Sequence, residues 1–119
     1  MLRLDLCDLL LVSVYEVGIM DRFYIVESIC DKNTQEMRID RTSREHIGST
    51  VCISHRDGIA ANRPCYMWYI IDNNGLPKHH TCFKTSAVKS WRQINDMLVI
   101  ITEHSIYRLK EISLDDVQQ

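Results

Sequence analysis

Glycine and proline are scarce in this chain of 119 residues, with four and two copies respectively. The glycines are dispersed, which excludes a glycine-rich loop that cradles phosphate. Long apolar runs are missing too: none approaches the ~20 residues that a membrane-spanning helix needs. Positive charge is not in excess. Lys and Arg number 14 against 16 Asp and Glu, the net charge is −2 and the pI is about 6.2, so the domain as a whole lacks the electrostatic footprint of a nucleic-acid binder. The five cysteines, Cys7, Cys30, Cys52, Cys65 and Cys82, are odd in number and irregularly spaced. That excludes a complete disulfide framework, and a chain of this length buries a core without one. Mostly buried thiols in a reducing compartment are expected. Asp5 and Asp8 stand where a secretory leader needs an apolar stretch, so a cytoplasmic location with no membrane partner is expected.

What is present is the composition of a folded domain, 45% hydrophobic and 25% charged, and the length suits one domain over residues 1–119. Branched and aromatic residues gather in short runs bounded by turn residues, a strand signature. Residues 9–17 form the first run, apolar on both faces, with a leucine-rich start that a helix would also accept. Residues 22–30 and 35–41 read as a hairpin around the polar corner Asp31–Thr34, with Phe23 and Ile25 directed inward. Thr42 or Ser43 can cap a short helical turn that Gly48 ends. Residues 49–54 and 65–72 are further strands. The second has no polar face, so it is either central or carries a contact surface. Asn73-Asn74-Gly75 makes a hairpin turn into the run after His79.

Residues 81–91, Met97–Thr102 and Ser105–Ile112 form a meander with corners at residues 93–96 and at Glu103-His104. The count is about seven strands, which predicts a mainly β fold: a small barrel or roll with one short helical turn. Residues 113–119 read as a frayed polar tail. The expected core is Leu10, Val12, Val14, Phe23, Ile25, Val51, Ile53, Trp68, Ile70, Val88, Leu98, Ile100, Tyr107 and Leu109.

Chemistry has few anchors. Cys52-x-x-His55 and His79-x-x-Cys82 offer zinc-type ligands at zinc-type spacing, but residues three apart in an extended strand point to opposite faces. No cofactor is therefore expected. Cysteine and histidine are both present without a local catalytic signature, and Asp115-Asp116 falls in the tail, so no enzyme is expected. Tyr66, Trp68 and Tyr69, flanked by Arg63, Lys78, Lys84, Lys89 and Arg92, have the makings of a single-strand nucleic-acid platform. A protein-binding face asks less of the same residues, because Tyr, Trp and Arg are the side chains that most often anchor interfaces. The candidate contact residues are Tyr66, Trp68, Trp91 and Arg92, with a host protein or a second copy as partner. Trp91 also fits as a lid over the core.

Lys84-Thr85-Ser86-Ala87-Val88, then Met97–Thr102, then Ser105-Ile106-Tyr107-Arg108-Leu109 together resemble a recurring C-terminal pattern in small uncharacterised β-rich proteins of phages and bacterial mobile elements. In that pattern a Thr-Ser-x-Val strand precedes an apolar strand ending in Thr and then Ser-x-Tyr-x-Leu; His104 stands where Asn is more usual. The resemblance implies a setting in which small β proteins inhibit or regulate a host system by binding, anti-CRISPR and other anti-defence proteins among them. The expectation is a non-catalytic protein-binding module in the host cytoplasm.

Overall fold

The computed structural model describes residues 22–54, 58–78 and 80–113. Its strands are β1 (Arg22–Asp31), β2 (Thr50–Ile53), β3 (Pro64–Ile71), β4 (Cys82–Ile94), β5 (Met97–Thr102) and β6 (Ser105–Ile112), with helix α1 (Arg41–His46) between β1 and β2. Each strand pairs antiparallel with the next, and β6 returns to β1, so the sheet closes into a barrel. The mainly β barrel of the sequence reading is what forms. Six strands, not about seven, lie among the described residues; residues 9–17 and the tail from 114 fall outside them. No helix among the described residues is long and apolar enough to cross a membrane.

Alternation fills the barrel. Tyr24, Val26, Val51, Ile53, Cys65, Met67, Tyr69, Val88, Leu98, Ile100, Tyr107 and Leu109 form one buried cluster, joined by Ile29. On β1, Phe23 and Ile25 were expected in the core; Phe23 is buried, and the correction falls on Ile25. Tyr24 and Val26 face the interior instead, Phe23 lies in a second cluster with Cys52 and Ile70, and Ile25 is only half-buried. Both faces of β1 are apolar at this end, so the pattern alone does not choose between them. Glu27 marks the reason that Ile29 can follow Val26 inward. The pairing with β6 slips between Val26 and Ser28, and a bulge of one extra residue resets which face the strand presents.

Trp68, also expected in the core, packs at the edge of the second cluster, partly buried. Cys30, Cys52 and Cys65 are buried thiols and Cys82 is exposed.

The hairpin expected over 22–41 does not form. Asp31 makes the corner, accepting from the backbone N–H of Asn33 (2.9 Å) and Thr34 (3.0 Å). The return segment then contributes one isolated bridge, Cys30 to Met37, and leaves Met37 and Ile39 exposed. Gln35 takes a left-handed φ of 63° and Asp40 is engaged as the cap of α1, which confines the return to residues 36–39. Asp40, not Thr42 or Ser43, is the N-cap: its carboxylate accepts from Ser43 N–H (3.0 Å) and from Ser43 Oγ (2.9 Å). Those bonds favour the ionised form and hold the Asp40 carboxyl below its usual range.

The corner between β5 and β6 is closed by hydroxyls. Thr102, fully buried, accepts from Ser105 N–H (3.0 Å) and from Ser86 Oγ (2.8 Å), and donates to the Ser105 carbonyl (2.9 Å). The Glu103 N–H reaches the Ala87 carbonyl at 2.9 Å, so the corner is tied to β4 as well. Replacing the hydroxyl by a methyl of similar shape would leave buried donors unmet. Thr102→Val should therefore lower unfolding free energy by about 1–3 kcal/mol in urea titration, while Thr102→Ser should retain most of it.

Candidate interface on the β4–β5 hairpin

Two strands of the barrel overhang their neighbours. β1 pairs with β2 only over Arg22–Ile25 but with β6 along its whole length. The overhang of β1 is covered: Val26 N–H bonds Ser49 O (3.0 Å), Gly48 N–H bonds Val26 O (2.8 Å) and Arg38 N–H bonds Ile29 O (2.8 Å). Arg38 fastens this cover through Asp40 (3.4 Å) and Asp31 (3.7 Å).

β4 overhangs β3 in the same way, but no described residue covers it. β3 pairs with β4 between Pro64–Ala87 and Trp68–Cys82. Asn62 N–H to Val88 O (2.7 Å) and Val88 N–H to Arg63 O (2.9 Å) complete that side. Beyond Val88, β4 has a partner only in β5 among the described residues, from Ser90–Ile101 to Ile94–Met97. All six residues from Lys89 to Ile94 are exposed, so this stretch is open on both faces as well as along one edge. The hairpin turn is Asn95-Asp96, with Asn95 at φ 55° and Gln93 Nε2 bonding the Asn95 carbonyl at 2.8 Å. The strand was expected to end at Trp91; instead it runs on through Gln93 to Ile94 before this two-residue turn.

Directly paired residues share a face, which sorts the side chains. Leu98 and Ile100 face the interior, so their partners Gln93 and Trp91 share that face of the sheet. Past the end of β3 nothing described covers it, and Trp91 remains 44% exposed. The outer face carries three cross-strand rows: Ser90–Ile101–Ile106, Arg92–Val99–Arg108 and Ile94–Met97–Lys110. Ser90, Trp91, Arg92, Ile94, Val99 and Ile101 line a half-open groove of about 350 Å³.

The structure thus brings Trp91 and Arg92 into one exposed segment, on opposite faces of the strand. Tyr66 and Trp68 are elsewhere. Tyr66 is exposed opposite Lys84, and Trp68 is half-buried between Cys52 and Cys82. Lys84 is seven positions from Trp91, roughly 20 Å along β4. Tyr69 points inward. The aromatic and basic residues gathered for a nucleic-acid platform are therefore dispersed. Of the zinc-spaced residues, Cys52 is buried and Cys82 exposed on either side of Trp68, while His55 and His79 lie outside the described residues.

Sequence reading passed over one cluster. α1 delivers His46 to the barrel mouth, where its ring stacks on Phe83 (centroids 3.7 Å apart, planes at 9°) and Nδ1 meets the Tyr69 hydroxyl. Lys78 Nζ sits 4.2 Å above the Tyr69 ring. Burial pushes the Tyr69 phenol up to about 12, so it stays protonated beside His46. Burial lowers the His46 pKa, Lys78 adds to that, and Glu45 and Asp40 oppose it. A helix signal ending in Arg-Glu-His hinted at a basic C-terminus, but its partners come from β3 and β4.

No protein-family model matches the chain, and no curated protein and no solved structure matches it significantly.

Protonating His46 would put a charge in a half-buried site beside Lys78. Because its folded pKa lies below the unfolded value of about 6.5, the unfolded chain takes up the proton first as pH falls. The His46 contribution to stability is complete above about pH 6.5 and is lost below it. Urea titrations at pH 7.5 and 5.5 should show a loss on acidification that is smaller in His46→Gln; equal pH dependence would assign it to other groups.

Proposed function

We propose that this chain is a non-catalytic protein-binding module that presents the distal β4–β5 hairpin to another protein. The observation that carries the reading is the stretch Lys89–Ile94, exposed along its length and paired along one edge with no described strand, while the matching overhang of β1 is covered. Open edges are templates for pairing, and folded proteins ordinarily cover them. Trp91 and Ile94, 44% and 50% exposed, supply the apolar and aromatic contact that anchors interfaces. The groups with perturbed titration all have structural causes: Tyr24, Tyr69 and Tyr107 are raised and His46 is lowered by burial, and Asp31 and Asp40 are lowered by the backbone N–H groups they accept from. An inhibitor or regulator of a host system, the role implied by the resemblance to small phage and mobile-element proteins, acts by this kind of contact.

A photocrosslinking residue placed at position 91, with one at the exposed Asn33 as control, tests the reading in bacterial host lysate. The expected result is a discrete protein adduct at 91 that is missing at 33 and is lost on adding Ile94→Ser. A nuclease-sensitive adduct would replace the protein partner by nucleic acid, and indistinguishable labelling at both positions would overturn the proposal.

A further inference from the structure

The chemistry of the open edge narrows what can bind it. Resting on the protein-binding reading, we propose that the partner supplies an extended segment of alternating apolar and acidic residues, which adds to β4 as a further strand. Main-chain donors and acceptors along Lys89–Ile94 face no described strand, and six residues at about 3.3 Å each give roughly 20 Å, the length of an ordinary strand. Strand addition uses such an edge for affinity and the flanking side chains for choice.

Those side chains carry one sign of charge. On the outer face Arg92, Arg108 and Lys110 are interleaved with Ile94, Met97, Val99, Ile101 and Ile106, and the three rows contain no carboxylate. Elsewhere on the surface Arg22, Arg38 and Arg41 are satisfied by Glu111, Asp31, Asp40 and Glu45. Arg92 and Lys110 form no ion pair with any described residue. In a guest strand, every second side chain falls over this face. A carboxylate placed across from Arg92 meets its guanidinium, the geometry in which Arg and carboxylate pair best, while Arg108 and Lys110, two strands further in, add only to the positive field of this face. Apolar positions on the other side meet Trp91.

A second copy fits less well. Edge-to-edge pairing of two β4 strands would lay one cationic face beside another, and Lys89 and Arg92 on the edge act against self-pairing. Nucleic acid would need stacking and phosphate contact from one side, whereas Trp91 and Arg92 project from opposite faces.

The test is a titration of the Trp68→Phe variant, in which Trp91 is the remaining tryptophan, with synthetic peptides of about eight residues. One peptide alternates valine and glutamate, one valine and lysine, and one repeats the first with alternate backbone nitrogens methylated. An oligothymidylate is the nucleic-acid arm. A Trp91 emission shift is expected with the valine–glutamate peptide alone. Its apparent affinity should fall about tenfold with Arg92→Glu and fall again with added salt. Arg92 is exposed, and an unchanged circular dichroism spectrum and urea midpoint would show that the variant folds. Arg108→Gln, on the same row but two strands further from the edge, is the control and should bind nearly as the parent does.

Equal response to the lysine peptide, indifference to backbone methylation, response to the oligothymidylate, or a concentration-dependent dimer in sedimentation equilibrium would each overturn the proposal. If the position-91 adduct forms while no acidic peptide binds, the partner chemistry is wrong and the protein-binding reading stands. Loss of the adduct removes both.

Discussion

Pairing of the first described strand with the last holds this fold together. β1 and β6 run side by side from Phe23–Ile112 to Asp31–Ser105. That contact converts a meander with two open edges into a closed barrel, in which main-chain groups are met around the ring. It also brings the ends of the described sequence together, so the closure entropy is met late and by a long-range contact. Arg22 and Glu111 lie across this seam, 3.0 Å apart but exposed, and contribute little beside the main-chain ladder. The bulge near Glu27 is part of the closure, since it lets β1 keep Val26 and Ile29 both inside as the strand bends.

A closed barrel built from strands of unequal length leaves overhangs. β2 has four residues and β4 has thirteen. On β1 the chain covers its own excess with the segment around α1, stapled by Arg38 and capped by Asp40. On β4 no described segment covers the excess, which carries Ser90, Arg92 and Ile94 on one face and a tryptophan on the other. The two edges meet the same physical problem with opposite outcomes, and that difference is the basis of the functional reading. The hydroxyl corner at Thr102 and Ser105 supports it indirectly, because it fixes β5, against which the exposed half of β4 lies.

Much of this was legible beforehand. Turn chemistry placed the corners at Asp31, Asn73–Gly75 and Glu103-His104, and strand composition placed β3, β5 and β6. Trp91 and Arg92 stood out as candidate contact residues from type and position, and both are exposed. Tyr66 and Trp68 did not join them, because strands adjacent in sequence pair in a register that sets Tyr66 against Lys84, far along β4 from Trp91. Residues 35–41 have the alternation of a strand, yet the turn at Gln35 and the cap at Asp40 take the chain out of line.

By itself the sequence determined the class of fold, the corners and the inward face of β6, where Tyr107 and Leu109 alternate with Arg108 and Lys110. It could not choose a face on β1 or β3, where both sides are apolar and a one-residue shift exchanges inside for outside. Tertiary structure decided those faces through bulges and register. It also decided which edge stays open, because an edge is defined by where a neighbouring strand stops. That depends on the length and stagger of two segments at once, and neither segment carries it alone.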